Sequence, residues 1–191
     1  MPPITLALVT ANVAVFLLQL AVPGILVPFA LWPVGSLPGF SPWQLVTYAF
    51  LHGGLFHLAF NMFALYMFGG PIEQVFGQRR YLIYYFVCVL AAGATQLAVS
   101  AMSHTVYPTI GASGGVFGLL LAYAIYFPRN RIMLLFPPIP MPARVFVVVY
   151  AVLELIFGVT GTEEGVAHFA HLGGLVGGFV LLQFWRRDRR P

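Results

Sequence analysis

Gly111-Ala112-Ser113-Gly114-Gly115-Val116-Phe117-Gly118 runs without a break into Leu119-Leu120-Leu121-Ala122-Tyr123-Ala124-Ile125-Tyr126-Phe127. One hydroxyl stands among small residues where a loop becomes an apolar helix. Glycines leave the backbone around it open to a substrate. The unpaired N–H groups of a helix's first turn also point at whatever lies there, as they would at a developing oxyanion. The same string is a small-residue packing face, with Gly114 and Gly118 four apart. Taken alone it favours that packing reading, so the rest of the chain must decide.

The chain has 191 residues, of which 60% are hydrophobic and 7% charged. A soluble domain carries roughly 25% charged residues, so this composition belongs to a membrane protein. The net charge of +4 comes from nine basic residues, all of them arginine. These arginines flank apolar runs, which argues against nucleic-acid binding. The single cysteine, Cys88, sits inside an apolar run and cannot form an intrachain disulfide. No repeat or linker interrupts the pattern, so residues 1–191 read as one domain ending in a short basic tail, 186–191. The first run lacks a basic leader and a cleavage motif, so no signal peptide is expected.

Apolar runs fall at about 4–23, 54–72, 81–101, 112–127, 142–159 and 166–185. Crossing the hydrocarbon takes about 20 residues at 1.5 Å each. The fourth run is shorter, so its start is expected below the membrane surface, within protein or a wet cavity. Arg79 and Arg80 follow the second run. Arg129, Arg131 and Arg144 lie between the fourth and fifth, and Arg186, Arg187, Arg189 and Arg190 follow the sixth. The positive-inside rule then predicts an all-α bundle of six transmembrane helices with both termini cytoplasmic. The uncharged connection between the first two runs carries Phe29, Trp32, Phe40, Trp43, Tyr48 and Phe50, residues that settle at a membrane boundary. It is expected to lie partly in the outer leaflet.

That orientation gives depth to the polar residues. His57 and Asn61 occupy the first turns of the second run, Ser113 opens the fourth, and His168 and His171 begin the sixth. All fall in the outer half of the membrane, where polar groups face a bundle interior or a wet cavity. His57 and Asn61, four apart, share a helix face. Ser113 with a histidine is a nucleophile with its base, and His57, Asn61 and the Ser113 N–H could serve a tetrahedral oxyanion. The only aspartate, Asp188, lies in the tail, so a serine hydrolase here must use a dyad. Phe117, on the face of Ser113, could orient the imidazole by ring packing. Gly114/Gly118, Gly173/Gly177 and Gly174/Gly178 could let the fourth and sixth helices approach closely.

Other readings stand beside this one. His168 and His171 could instead ligate metal or haem, or, with His57, line a solute-transport bundle. His52 and His104 read as hydrogen-bonding residues of loops or interfaces. Glu73 reads as an ion-pair partner of Arg79 and Arg80. Glu154, within the fifth run, is either protonated and hydrogen-bonded or part of the cavity lining.

Gly111-Ala112-Ser113-Gly114, Ala170-His171-Leu172-Gly173-Gly174 and His57-Leu58-Ala59-Phe60-Asn61 together resemble the nucleophile, histidine and HxxxN motifs of the rhomboid intramembrane serine proteases. Order and spacing agree over nearly the whole chain. The resemblance implies that Ser113 is the nucleophile and His171, rather than His168, the general base. It implies that His57 and Asn61 support the oxyanion with the Ser113 N–H, and that Gly111, Gly114 and Phe117 support the site. It further implies a compact rhomboid-like bundle whose shortened central fourth helix presents the serine to a cavity open on the outer, periplasmic side of the cell inner membrane. The first loop would lie in the outer leaflet, with the fifth helix and its cap loop (142–165) as a gate. Partners would be transmembrane protein substrates and membrane lipid, with no cofactor, no metal and no nucleic acid. The alternative within the same fold is a silent binding module that holds membrane proteins without cutting them. Two departures stand out: Gln44 follows Trp43 where the family often has arginine, and Phe117 stands where tyrosine is common. No added soluble module is expected.

Overall fold

Prolines open the first helix, α1 (Pro3–Ala21). Proline presets the helical φ and lacks an N–H that the first turn would leave unpaired. The computed structural model describes residues 1–22, 24–103, 107–133, 138–162 and 166–187. His104, Glu163, Glu164, Asp188, Arg189 and Arg190 lie outside the described residues. After α1 come two short helices, α2 (Leu26–Phe29) and α3 (Gln44–Thr47), then α4 (Leu55–Ala64) and α5 (Gly70–Phe76). The longer α6 (Gln78–Ser103) is followed by α7 (Ser113–Tyr126), α8 (Ala143–Thr160) and α9 (His168–Arg187). Between α7 and α8 a small antiparallel pair forms, β1 (Arg131–Met133) with β2 (Pro140–Pro142).

A π turn over Leu65–Gly69 joins α4 to α5. It sits just ahead of Pro71, which cannot donate to the carbonyl one turn back, and a widened turn absorbs that missing bond. The joined run, Leu55–Phe76, extends past the expected end at residue 72. Among the described residues it is one of four helical runs long and apolar enough to cross a membrane, with Pro3–Ala21, Gln78–Ser103 and Ala143–Thr160. α7 is equally apolar but has 14 residues.

α6 is the packing centre and lies against both α7 and α9. Its buried face presents Tyr81, Tyr84, Tyr85, Cys88 and Ala92 at helical spacing. The Tyr84 hydroxyl donates to the Gly118 carbonyl of α7 at 2.8 Å, and Tyr48 donates to the Val89 carbonyl at 2.7 Å. Buried phenols with satisfied hydroxyls give both area and registry. α7 and α9 touch through bare backbone: a Cβ at Gly174 would collide with the Gly114 carbonyl. The expectation that all the paired glycines join these two helices needs correcting. Gly173, Gly177 and Gly178 face Thr95, Ala91 and Tyr84 of α6 instead.

Glu73 also departs from expectation. Among the described residues it forms an ion pair with neither Arg79 nor Arg80; Arg80 lies over the Trp185 ring at 5.8 Å. Its buried carboxylate accepts from Ile4 N at 2.9 Å, Thr5 N at 2.7 Å and the Thr5 hydroxyl at 2.7 Å. Those amides are orphans of the first turn of α1, and an anion is favoured there by the helix dipole. Chain proximity suggested the arginines; the fold supplied a better partner.

The aromatic connection ahead of α4 is held by polar ties. Gln44 is buried, accepts from Trp32 N and Ser41 N at 3.2 Å each, and donates to the Pro28 carbonyl at 3.3 Å. Trp43 donates to the same carbonyl at 2.9 Å. Leu31 and Thr109 exchange backbone bonds of 3.0 and 2.9 Å, and Gly111 N donates to the Tyr48 carbonyl at 2.9 Å. These bonds fix the segment that delivers Ser113.

Candidate active site

Ser113 is the first residue of α7, directly after Ala112 at the N-cap. Its approach is set by Gly111, whose φ of +122° lies where a side chain is strained. A Cβ there would also press on His57 Nε2 at 2.8 Å. The Gly114–Gly174 contact then brings α9 close enough for its imidazole to reach the hydroxyl. His171 Nε2 lies 2.7 Å from Ser113 Oγ, a short hydrogen bond between side chains 58 residues apart. Phe117, one turn along α7, stacks on His171.

His57 and Asn61 line the same cavity as Ser113 and His171, a space of about 760 Å³ bounded also by Phe117 and Tyr150. Gly53 N donates to His57 Nδ1 at 3.3 Å. With Nδ1 accepting, neutral His57 carries its proton on Nε2, the nitrogen beside Gly111. Asn61 donates through Nδ2 to the His57 carbonyl at 2.9 Å. His52 packs edge-on against the His57 ring, with centroids 5.0 Å apart. Its backbone is tied to Gln19 of α1 by bonds of 3.0 and 3.1 Å.

Glu154 is the residue that sequence reasoning left unplaced. Its Oε2 is 2.9 Å from His171 Nδ1 and 2.7 Å from His168 Nδ1. His168 turns its other nitrogen to the Thr162 carbonyl at 3.1 Å. The ligating atoms of Glu154, His168 and His171 lie within 4.8 Å of one another, a spacing that could also hold a cation. An ionisable residue mid-helix in an apolar run was the available signal; its partner could not be read from spacing.

A serine–imidazole pair at a helix N-terminus, inside a cavity among membrane-length helices, defines a class: helical membrane proteins built around a Ser–His site. The comparisons make that class specific, because the Rhomboid domain model matches residues 39–187, and the chain belongs to the rhomboid family. It is a multi-pass membrane protein. It is 36% identical over 137 residues to rhomboid protease GluP of Bacillus subtilis strain 168, covering 72% of this chain and 25% of that relative. To rhomboid protease GlpG of Serratia proteamaculans strain 568 it is 29% identical over 193 residues, covering 98% of this chain and 64% of the relative. To GlpG of Yersinia pestis strain Pestoides F it is 27% identical over 184 residues, with 96% and 62% covered. The chain thus spans a quarter to under two thirds of the length of these relatives.

Proposed function

We propose that the protein is an intramembrane serine endopeptidase that cleaves transmembrane segments of other membrane proteins. The carrying observation is the 2.7 Å bond between Ser113 Oγ and His171 Nε2 inside a cavity among apolar helices. Relatives named rhomboid proteases support the same reading.

In this reading Ser113 Oγ attacks the scissile carbonyl while His171 Nε2 takes its proton. The tetrahedral oxyanion is met by the Ser113 N–H, an unpaired amide of the first turn of α7, and by His57 Nε2–H and the Asn61 amide. His171 returns the proton to the leaving amine, giving an acyl-enzyme on Ser113. Water entering the cavity, deprotonated by His171, releases the second product. The six apolar helices cross the inner membrane with both termini cytoplasmic, and the cavity opens outward. Scissile bonds then lie near the outer ends of substrate helices, where locally unwound segments expose a carbonyl.

Purified protein in detergent or lipid should cleave a model transmembrane segment and be labelled at Ser113 by a fluorophosphonate. Ser113→Ala and His171→Ala should each abolish cleavage. Cleavage that survives Ser113→Ala refutes the mechanism.

A further inference from the structure

The hydrogen-bond donors around Glu154 set more than a buried ion pair. The Thr162 carbonyl can only accept, so His168 Nε2 carries a proton. His168 Nδ1 then either donates to ionised Glu154 or accepts the proton of a neutral Glu154. In both cases one proton is shared across the 2.7 Å contact and the pair is neutral as a unit. In both cases the remaining lone pair of Oε2 faces His171 Nδ1 at 2.9 Å, and that contact is a bond only if His171 Nδ1 holds a proton. His171 Nε2 is thereby left bare, and it is the nitrogen facing Ser113 Oγ.

From this geometry we infer that Glu154 is a positioning residue for His171, forming a Glu154–His171–Ser113 chain in which His168 anchors the carboxylate. The inference rests on the proposed protease reading and deepens it, since it adds a carboxylate to what is otherwise a Ser–His dyad. As Ser113 attacks, its O–H bond breaks and an N–H bond forms at His171 Nε2. The Nδ1 proton stays on His171, and Glu154 Oε2 faces the resulting imidazolium. An acceptor in that place holds the useful tautomer. Phe117 sets the plane of the ring, whereas Glu154 sets its rotation and proton location. Glu154 comes from α8 and His171 from α9, so the site is complete only while these helices stay in register.

The titratable groups facing His171 are Glu154 and, along the cavity wall, Tyr150 from α8; His168 from its own helix; and His57 from α4. An amide at position 154 can turn either its oxygen or its NH2 group to His171 Nδ1, so it no longer fixes which ring nitrogen holds the proton. Glu154→Gln, which keeps the size of the side chain, should therefore lower kcat about tenfold or more with little change in KM. Glu154→Asp, which keeps the carboxylate, should recover part of the loss. Rates are normalised to the fraction of protein labelled by fluorophosphonate at end point, so a purely structural role leaves them unmoved. Wild-type kcat in Glu154→Gln, with Ser113→Ala inactive, overturns the inference and leaves the protease reading intact. An active Ser113→Ala protein overturns both. Should Glu154→Gln fail to fold, ¹⁵N-histidine spectra of the intact protein, assigned against His171→Asn, decide the matter. Neutral His171 should carry its proton on Nδ1, and a proton on Nε2 overturns the inference.

Discussion

The His171 imidazole lies flat on the Phe117 ring, with centroids 4.4 Å apart and planes 5° from parallel. Ser113 and Phe117 are one helical turn apart on α7, so a single helix face carries both the hydroxyl and the surface on which its imidazole rests. A stacked aromatic pair contributes about 0.5–1.5 kcal/mol beyond area burial. Lost from the transition state alone, that corresponds to roughly a two- to tenfold lower kcat. Phe117→Leu should show this loss with KM unchanged, while Phe117→Tyr, which keeps the ring, should retain activity. Steady-state kinetics on a model segment measure both, and an unimpaired leucine variant argues against a role for the stack.

The Gly114–Gly174 contact sets the distance between the two reacting groups. A methyl at Gly174 has nowhere to go but into the Gly114 backbone, so α9 must move away from α7. Overpacking of this kind costs about 1–3 kcal/mol in stability, and misplacing a reacting group by about 1 Å costs on the order of a hundredfold in rate. Gly174→Ala should therefore lose far more activity than stability, as seen by comparing kcat with the unfolding midpoint in detergent. Gly77→Ala, at a position with open space around it and remote from the cavity, serves as the comparison for backbone strain alone, its φ being +73°. Equal activity loss in both variants would discount the helix-contact argument.

The sequence made some of this legible and hid the rest for physical reasons. The apolar runs announced membrane helices, because the bilayer fixes both their length and their polarity. Ser113, His171, His57 and Asn61 stand out because a polar group in an apolar run is costly, and the four line one cavity. Partners brought together by tertiary packing were not legible. Glu73 stands near arginines in the chain, yet its carboxylate caps a helix 68 residues away. Glu154 and His171 are separated by 17 residues and a turn, and no periodicity specifies which way the fifth run faces.

Glu73 gives a prediction about stability separate from catalysis. It lies 16 residues beyond His57 along the α4–α5 run, roughly 24 Å at 1.5 Å per residue, and so at the opposite end from the Ser113–His171 pair. Glu73→Ala strips the acceptors from Ile4 N, Thr5 N and the Thr5 hydroxyl. Loss of a helix cap costs about 0.5–2 kcal/mol, and burial of this carboxylate places the loss toward the upper end. The variant should unfold at lower denaturant in detergent while its kcat stays at the wild-type value. A large fall in kcat per labelled site would show that α1 communicates with the cavity.

His52 should make the fold sensitive to acid. It lies in the connection ahead of α4, outside the spanning helices, and is 2% exposed. Burial first, and then the neighbouring His57, push it down to about 4. An unfolded histidine titrates near 6.5, so between these values the unfolded chain binds the extra proton and the folded chain does not. Stability from this residue is therefore complete above about pH 6.5 and declines as pH falls toward 4. Unfolding midpoints taken from pH 7.5 to 4.5 should drop for the wild type. His52→Leu, which has nothing to protonate, should show a shallower drop over the same range. Parallel slopes for the two proteins would mean that His52 titrates alike in both states, and that its burial against His57 places no demand on its charge.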